Sequence, residues 1–173
     1  MKKVIPVVFL LGISPYSYAK TADTTVAIKA SVTGATCNIV PTPTEINFNT
    51  LTAGDIGNNR IAAKEVSLAL DCDWIAKNVK VTFTPTEGTV TGNTSVMRSG
   101  KTGLGFKLQF ANTAGGTLTD TPFGVEQTWA STTTTASPYN LGGKIALKPF
   151  YISGEDIAAG NVDTNLAISV QYD

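Results

Sequence analysis

The chain has 173 residues, of which 42% are hydrophobic and 15% charged, with 13 basic and 13 acidic side chains and a formal net charge of zero. This length and composition predict one domain with a full hydrophobic core, and the balanced charge argues against nucleic acid or an anionic membrane as a partner. The chain contains no histidine, so neither a Ser/His/Asp nor a Cys/His catalytic group can form, and we expect no enzymatic activity and no cofactor.

Residues 1–19 read as a secretory signal. Lys2 and Lys3 precede the apolar run Val4–Ile13, and the small residues Ser17 and Ala19 stand at the −3 and −1 positions of a cleavage site. The apolar run is too short to span a bilayer. We therefore expect the leader to be removed, which leaves an exported chain with a formal charge of −2.

Residues 20–36 form a predicted N-terminal extension with apolar residues at every second position. These residues fall on one face of an extended strand: Val26, Ile28, Ala30 and Val32. A strand with one apolar face needs a sheet edge as its partner. It is either an ordinary first strand of its own domain or a strand that is donated to a neighbouring molecule.

Cys37 and Cys72 are the two cysteines of the chain. Export would place them in an oxidising compartment, where a disulfide within one molecule is the favoured interpretation. Closing this loop would stabilise the fold by roughly 4 kcal/mol in the chain-entropy model. Two buried free thiols and a metal pair are the alternatives, although two isolated thiols without histidine make a poor zinc site.

The rest of the chain has the pattern of a β protein. The predicted strands are Thr44–Phe48, Val66–Cys72, Val79–Phe83, Leu104–Phe110, Lys144–Ile152 and Leu166–Tyr172. A shift of the apolar positions across Pro149 predicts a bulge or bend there. A helical turn or two is expected only at Ile56–Ala63 and Gly154–Ala159. Six or seven short strands in one exported domain predict an immunoglobulin-like β-sandwich.

Several stretches together resemble one family, the pilins of the chaperone–usher pathway of Gram-negative bacteria. They are the extension with ADTT at its start, the second cysteine in VSLALDC, the stretch FKLQFAN, and the C-terminal KIALKPFYISGEDIAAGNVDTNLAISVQYD with Tyr172 next to last. The resemblance covers Thr21–Asp173, and the extension is most similar to that of minor adaptor subunits of type 1-like fimbriae.

The resemblance implies an all-β fold in which residues 37–173 form an incomplete immunoglobulin-like sandwich that lacks its last strand. A groove between the first and last strands is then filled by a periplasmic chaperone and later, at the outer-membrane usher, by the extension of a neighbouring pilin subunit. The last-strand wall of that groove would be Leu166, Ile168, Val170 and Tyr172, and the Asp173 carboxylate would contact basic residues of the chaperone. Ala30 stands where arms of the family usually carry glycine.

The expected function is structural: a subunit of an adhesive fimbria, exported through the periplasm to the cell surface, which polymerises by donor-strand exchange. The alternative is a single-domain carbohydrate-binding adhesin associated with the pilus. Trp74 and Trp129 are the candidate sugar-stacking residues, for which packing in the core or at its rim is the preferred interpretation. The sequence leaves open a host receptor and the place of the subunit as rod, adaptor or terminator.

Overall fold

The computed structural model describes Ala30 and residues 34–173. The chain divides into two units, Met1–Val32 and Thr33–Asp173. Ala30, the described residue of the first unit, is exposed and lies outside any strand. All further structural statements concern the second unit. In this part of the chain, no helix has the length and hydropathy required to cross a membrane.

The described residues form ten strands in two antiparallel sheets. The strands are β1 (Cys37–Thr42), β2 (Lys64–Cys72), β3 (Lys77–Pro85), β4 (Thr89–Val90), β5 (Asn93–Arg98), β6 (Leu104–Ala111), β7 (Thr119–Asp120), β8 (Gln127–Thr132), β9 (Tyr139–Tyr151) and β10 (Leu166–Gln171). The larger sheet has the order β1-β2-β9-β6-β5-β4, with β7 also paired to β6, and the smaller sheet has the order β10-β3-β8. The two sheets enclose one core.

The core confirms the alternation that the sequence predicted in three strands. The buried residues are Val66, Leu68 and Leu70 in β2, Val79, Val81 and Phe83 in β3, and Leu104, Phe106, Leu108 and Phe110 in β6. Trp129 of β8 is 1% exposed and meets Phe110 edge-on, with 6.2 Å between the ring centroids. Trp129 is therefore a core residue, as the packing interpretation expected.

The first strand lies earlier than predicted. Thr44–Phe48 is not a strand, and β1 ends at Thr42, just before Pro43. Proline has no N–H to donate to the hydrogen-bond ladder. It is therefore tolerated on an edge strand or at the end of a strand. Ile46 and Phe48 nevertheless pack against the core from a loop. Their alternation reflects burial without strand pairing.

Three smaller predictions were also wrong. The helix is Ala53–Gly57 and not Ile56–Ala63, because Thr52 caps its first turn by accepting a hydrogen bond from Asp55 N. Residues 154–159 contain no helix. The pairing of β9 with β6 is regular through Pro149, with no bulge. The pairing of β9 with β2 ends at Leu147, before Pro149. The missing N–H of Pro149 therefore costs no hydrogen bond to β2.

A disulfide joins Cys37 to Cys72, as predicted. The two cysteines are opposite each other on the neighbouring strands β1 and β2. The bond therefore fastens an edge strand to the interior of the larger sheet. The architecture confirms the expected all-β class: two sheets form a sandwich that is open along one side.

Candidate functional site

The open side of the sandwich is a groove between β1 and β10. Each is the terminal strand of its sheet and pairs with one neighbour among the described strands, β1 with β2 and β10 with β3. Their inward side chains are only partly buried against the core, namely Cys37 and Ile39 on β1 and Leu166, Ile168 and Val170 on β10. Unpaired strand edges beside half-covered apolar side chains are a costly surface to leave in water.

At one end, the open end, the groove widens into a cavity of about 850 Å³. Core residues form its floor: Val66, Met97, Phe106, Ile145 and Leu147. The loop 43–50 and the segment 157–165 form its rim. Phe48 of the loop stacks on Phe106 with 5.5 Å between the ring centroids. The cavity therefore reaches the core at this end, and the residues of its floor are at most 9% exposed.

An unpartnered hydroxyl also lies at the open end. Thr164 Oγ1 is buried and has no hydrogen-bond partner among the residues that the structure describes. A buried hydroxyl without a partner costs free energy, typically about 1–3 kcal/mol. Thr164 lines the cavity, so a backbone inserted there could supply the missing bond.

The other end of the groove, the closed end, is bridged by Tyr172. Cys37 N of β1 donates a hydrogen bond of 2.9 Å to Tyr172 Oη. Next to it, Lys77 and Asp173 exchange two backbone hydrogen bonds of 2.9 Å each, and Asn78 Nδ2 donates to Asp173 Oδ2 at 2.6 Å. The two walls are therefore joined at this end and separate at the other.

Thr36 comes directly before β1 and lies beside the closed end, and Ala35 before it packs against the core. Thr36 N and Thr36 Oγ1 donate to the two carboxylate oxygens of Asp73, both at 2.7 Å, and Asp73 N donates to Thr36 O at 3.1 Å. The Thr36 N–H, followed by its hydroxyl, lowers the pKa of Asp73 below its ordinary value of 3.8. We call this pair the root clamp, because it fixes Thr36 beside the start of β1.

An exposed aromatic pair adjoins the root clamp. Trp74 follows Asp73 directly and is 60% exposed. Its ring centroid lies 5.1 Å from that of Tyr139, with an interplanar angle of 53°. Tyr139 is paired with Cys72 across β9 and β2. Trp74 is thus at the rim of the sandwich, whereas Trp129 is in the core.

The structure brings the predicted groove residues together. Leu166, Ile168, Val170 and Tyr172 are partly buried against the core on one side of the groove, and Asp173 lies next to them in a recess of about 460 Å³. Sequence reasoning missed the β1 wall, since Pro41 and Pro43 obscured the alternation of Cys37, Ile39 and Pro41. The predicted arm residues Val26, Ile28 and Val32 lie outside the described residues.

The open sandwich, whose groove is filled by no strand of the described residues, defines a class of incomplete β domain. Comparison with known proteins gives the family. The model of the Fimbrial protein family matches residues 26–173. The chain therefore belongs to the fimbrial protein family and is a structural subunit of a pilus.

Individual relatives agree with this assignment. The chain is 30% identical to Protein FanG of Escherichia coli over 173 residues, which covers 99% of this chain and 97% of FanG. Among solved structures it is similar in fold to the P pilus rod subunit PapA, with a TM-score of 0.58 and 20% identity over 86% of this chain and 100% of that chain. It is also similar to a subunit in the structure of a chaperone–usher pilus, with a TM-score of 0.51 and 16% identity over 90% and 99% of the two chains. These likenesses support the open immunoglobulin-like sandwich.

Proposed function

We propose that this subunit polymerises by strand donation: its groove between β1 and β10 accepts the extension of a neighbouring pilin, and its own residues 20–36 enter the groove of another. The observation that carries the proposal is the groove itself: β1 and β10 each pair with one neighbour among the described strands, and their inward apolar side chains are only partly buried. Before assembly, a periplasmic chaperone covers this surface, and the outer-membrane usher is the place of exchange.

The dimensions of arm and groove agree. The apolar positions of the arm run from Val26 to Val32, and those of the wall run from Leu166 to Tyr172. Each set spans seven residues, which is about 20 Å in an extended strand. Both sets have a period of two, so a strand in register could place each arm side chain over the core. Burying a Val or Ile in this way contributes about 1.5–3 kcal/mol.

The direction of the arm follows from the two ends of the groove. The contact of Tyr172 with Cys37 obstructs the closed end, whereas the cavity leaves the open end accessible. The donor domain therefore lies beyond the open end of its acceptor. Its arm then runs antiparallel to β10, with Val32 near Leu166 and Val26 near Tyr172.

The test is the binding of a labelled peptide with the sequence of residues 20–36 to the exported chain. The chain carries Ile28→Lys so that its own arm does not compete. We expect the peptide to bind and Ile168→Lys to weaken its binding at least about thirtyfold, because a charge would enter an apolar groove. Ser169→Lys is the matched control, since Ser169 is the exposed neighbour on the same strand.

The control variant should bind the peptide within about threefold of the parent, a difference well under 1 kcal/mol. Equal binding by the Ile168→Lys and Ser169→Lys variants, or no binding by the parent chain, would contradict the proposed function.

A further inference from the structure

From the position of Trp74 beside the root clamp, we infer that Trp74 and Tyr139 form a second contact between subunits. This contact packs against the rim of the open end of the pilin domain that receives the arm. The inference rests on the proposed strand donation and adds to it a surface outside the groove. It would fix the angle between consecutive domains.

Chain length places the aromatic pair next to the receiving domain. If Val32 is the last arm residue in the neighbour's groove, three residues lie between it and Thr36, and these four steps along the chain span at most about 14 Å. Thr36 is held on Asp73 by the two 2.7 Å hydrogen bonds of the root clamp. Trp74 is the next residue after Asp73, so the mouth of the occupied groove must lie close to it.

The chemistry of the pair suits a protein partner. Trp74 is 60% exposed, and of the large hydrophobic residues that the structure shows on the surface it has the highest exposure. Aromatic residues, tryptophan above all, are enriched at the centres of protein interfaces because they bury a large area with little loss of conformational freedom. Tyr139 supports the ring from one side, which leaves the other face for a partner.

The receiving surface is the rim that surrounds the open end. It consists of the loop 43–50 and the segment 157–165, and Val162 is 36% exposed there. Under the arm direction given above, the donor's root clamp faces this rim. We therefore assign the acceptor's Val162 as the apolar residue beneath the donor's Trp74.

A defined dimer tests the inference. The donor copy carries a second copy of residues 20–36, joined by a flexible linker behind Asp173, so that its own groove is filled and only its N-terminal arm is free. The acceptor copy carries Ile28→Lys, which prevents donation, and Trp74→Ala, which removes its own exposed tryptophan. When the two copies are mixed, the only possible strand donation is from the donor's N-terminal arm to the acceptor's groove.

The measured quantity is the rate at which the dimer dissociates in guanidinium chloride. We expect the donor variant Trp74→Ala to dissociate about tenfold to thirtyfold faster than the parent donor, which is the range for loss of an interface hot spot. Val125→Ala is the control because Val125 is also exposed, at 48%, but follows β7, away from the root clamp. Its rate should stay within about twofold of the parent, a negligible energy difference.

Iodide quenching gives a second measurement that needs no change in the donor. Trp129 is buried, so Trp74 is the tryptophan that iodide can reach in the free donor. We expect this quenching to disappear in the dimer. Persistent quenching of Trp74, or equal dissociation rates for the Trp74→Ala and parent donors, would overturn the inference.

These outcomes are separable from failure of the proposed function. If no dimer forms and the peptide of residues 20–36 does not bind either, strand donation itself is wrong. If the dimer forms and Trp74 makes no difference, strand donation stands and the second contact is wrong. Loss of glycan binding in Trp74→Ala, with an unchanged dissociation rate, would assign the aromatic pair to a carbohydrate site and would also overturn the inference.

Discussion

At the scale of single residues, the carboxylate of Asp73 decides how the N-terminal segment is attached. Its two oxygens accept hydrogen bonds from the backbone and the hydroxyl of Thr36. Both bonds favour the charged form, and for that reason the pKa of Asp73 is lowered in the folded state. The attachment of the arm is therefore coupled to the protonation of one exposed side chain.

This coupling predicts a pH dependence in acid. Because the folded-state pKa lies below the ordinary value of 3.8, the stabilisation from Asp73 is fully present above that unfolded-state pKa. It is lost as the pH falls through the lower, folded-state pKa. We expect wild type to be more stable than Asp73→Asn at pH 6 and the difference to vanish towards pH 2, as measured by urea unfolding. Asp71→Asn is the control, since Asp71 makes no bond to Thr36; a difference for Asp73→Asn that is constant with pH would contradict this account.

At the scale of elements, the segment that forms part of the groove rim is held on the start of β6. Ile152 N donates to Gly103 O at 3.0 Å, and Ala158 N donates to Thr102 O at 3.1 Å. Glu155 accepts from Gly103 N at 2.9 Å and from Arg98 Nη1 at 3.3 Å. The Gly103 N–H, followed by Arg98, lowers the pKa of Glu155. This irregular segment is thus fixed by specific bonds although it contains no helix.

Gly103 is the residue at which this segment approaches the chain before β6 most closely. Its φ is +73°, and a Cβ atom there would lie 2.6 Å from the carbonyl oxygen of Asp156. Gly88 provides a matched control, because its φ is +71° but a Cβ atom would meet nothing within 4 Å. We expect Gly88→Ala to cost about 1 kcal/mol of stability through the backbone alone. Gly103→Ala should cost at least about 2 kcal/mol, since the clash adds to it.

Guanidinium unfolding of the two glycine variants measures these costs, and hydrogen exchange of residues 153–160 shows where the loss occurs. Hydrogen exchange of that segment should be faster in the Gly103→Ala variant than in wild type. In the Gly88→Ala variant it should be unchanged. Equal costs for the two substitutions would show that the close approach of Asp156 has no energetic importance.

Sequence patterns predicted the strands in which the residues that alternate along the chain are also the ones buried in the core. β2, β3 and β10 alternate because one face of each meets the core, and β6 alternates from Phe106 to Phe110. β1 was missed since Pro41 occupies an inward position on an edge strand, where proline is tolerated. β5 and β8 were missed because polar residues such as Asn93 and Gln127 begin strands whose apolar positions are few.

The groove wall on β10 could be predicted from sequence, but the rest of the site could not. Ile46 and Phe48 reach the core from a loop, and alternation alone does not distinguish a loop from a strand. The root clamp joins Thr36 to Asp73, 37 residues away, and only the pairing of β1 with β2 brings them together. The pairing of β2 with β9 places Tyr139 opposite Cys72 and so beside Trp74.

At the scale of the whole molecule, the proposed function makes the open side of the sandwich the surface through which subunits associate. Among the described strands, β1 and β10 each pair along one edge only, beside a cavity that reaches the core, and the proposed arm of a neighbouring subunit has the length and periodicity to lie between them. The open side of the monomer and the contact between subunits would then be the same surface. The root clamp holds Thr36 at the closed end of the groove, opposite the end at which the proposed neighbouring arm enters, so strand donation would place successive subunits head to tail.

The most direct test of this account compares two arm variants that introduce the same charge on opposite faces of the arm. Ile28→Lys places an ammonium group in the neighbour's groove, whereas Ala27→Lys places it on the outer face, in solvent. We measure fibre length by electron microscopy and the yield of folded, exported subunit for each variant. The account predicts normal yield for both variants, with fibres short or absent for Ile28→Lys and of wild-type length for Ala27→Lys. Fibres of equal length for the two variants, or an Ile28→Lys subunit that does not fold, would contradict it.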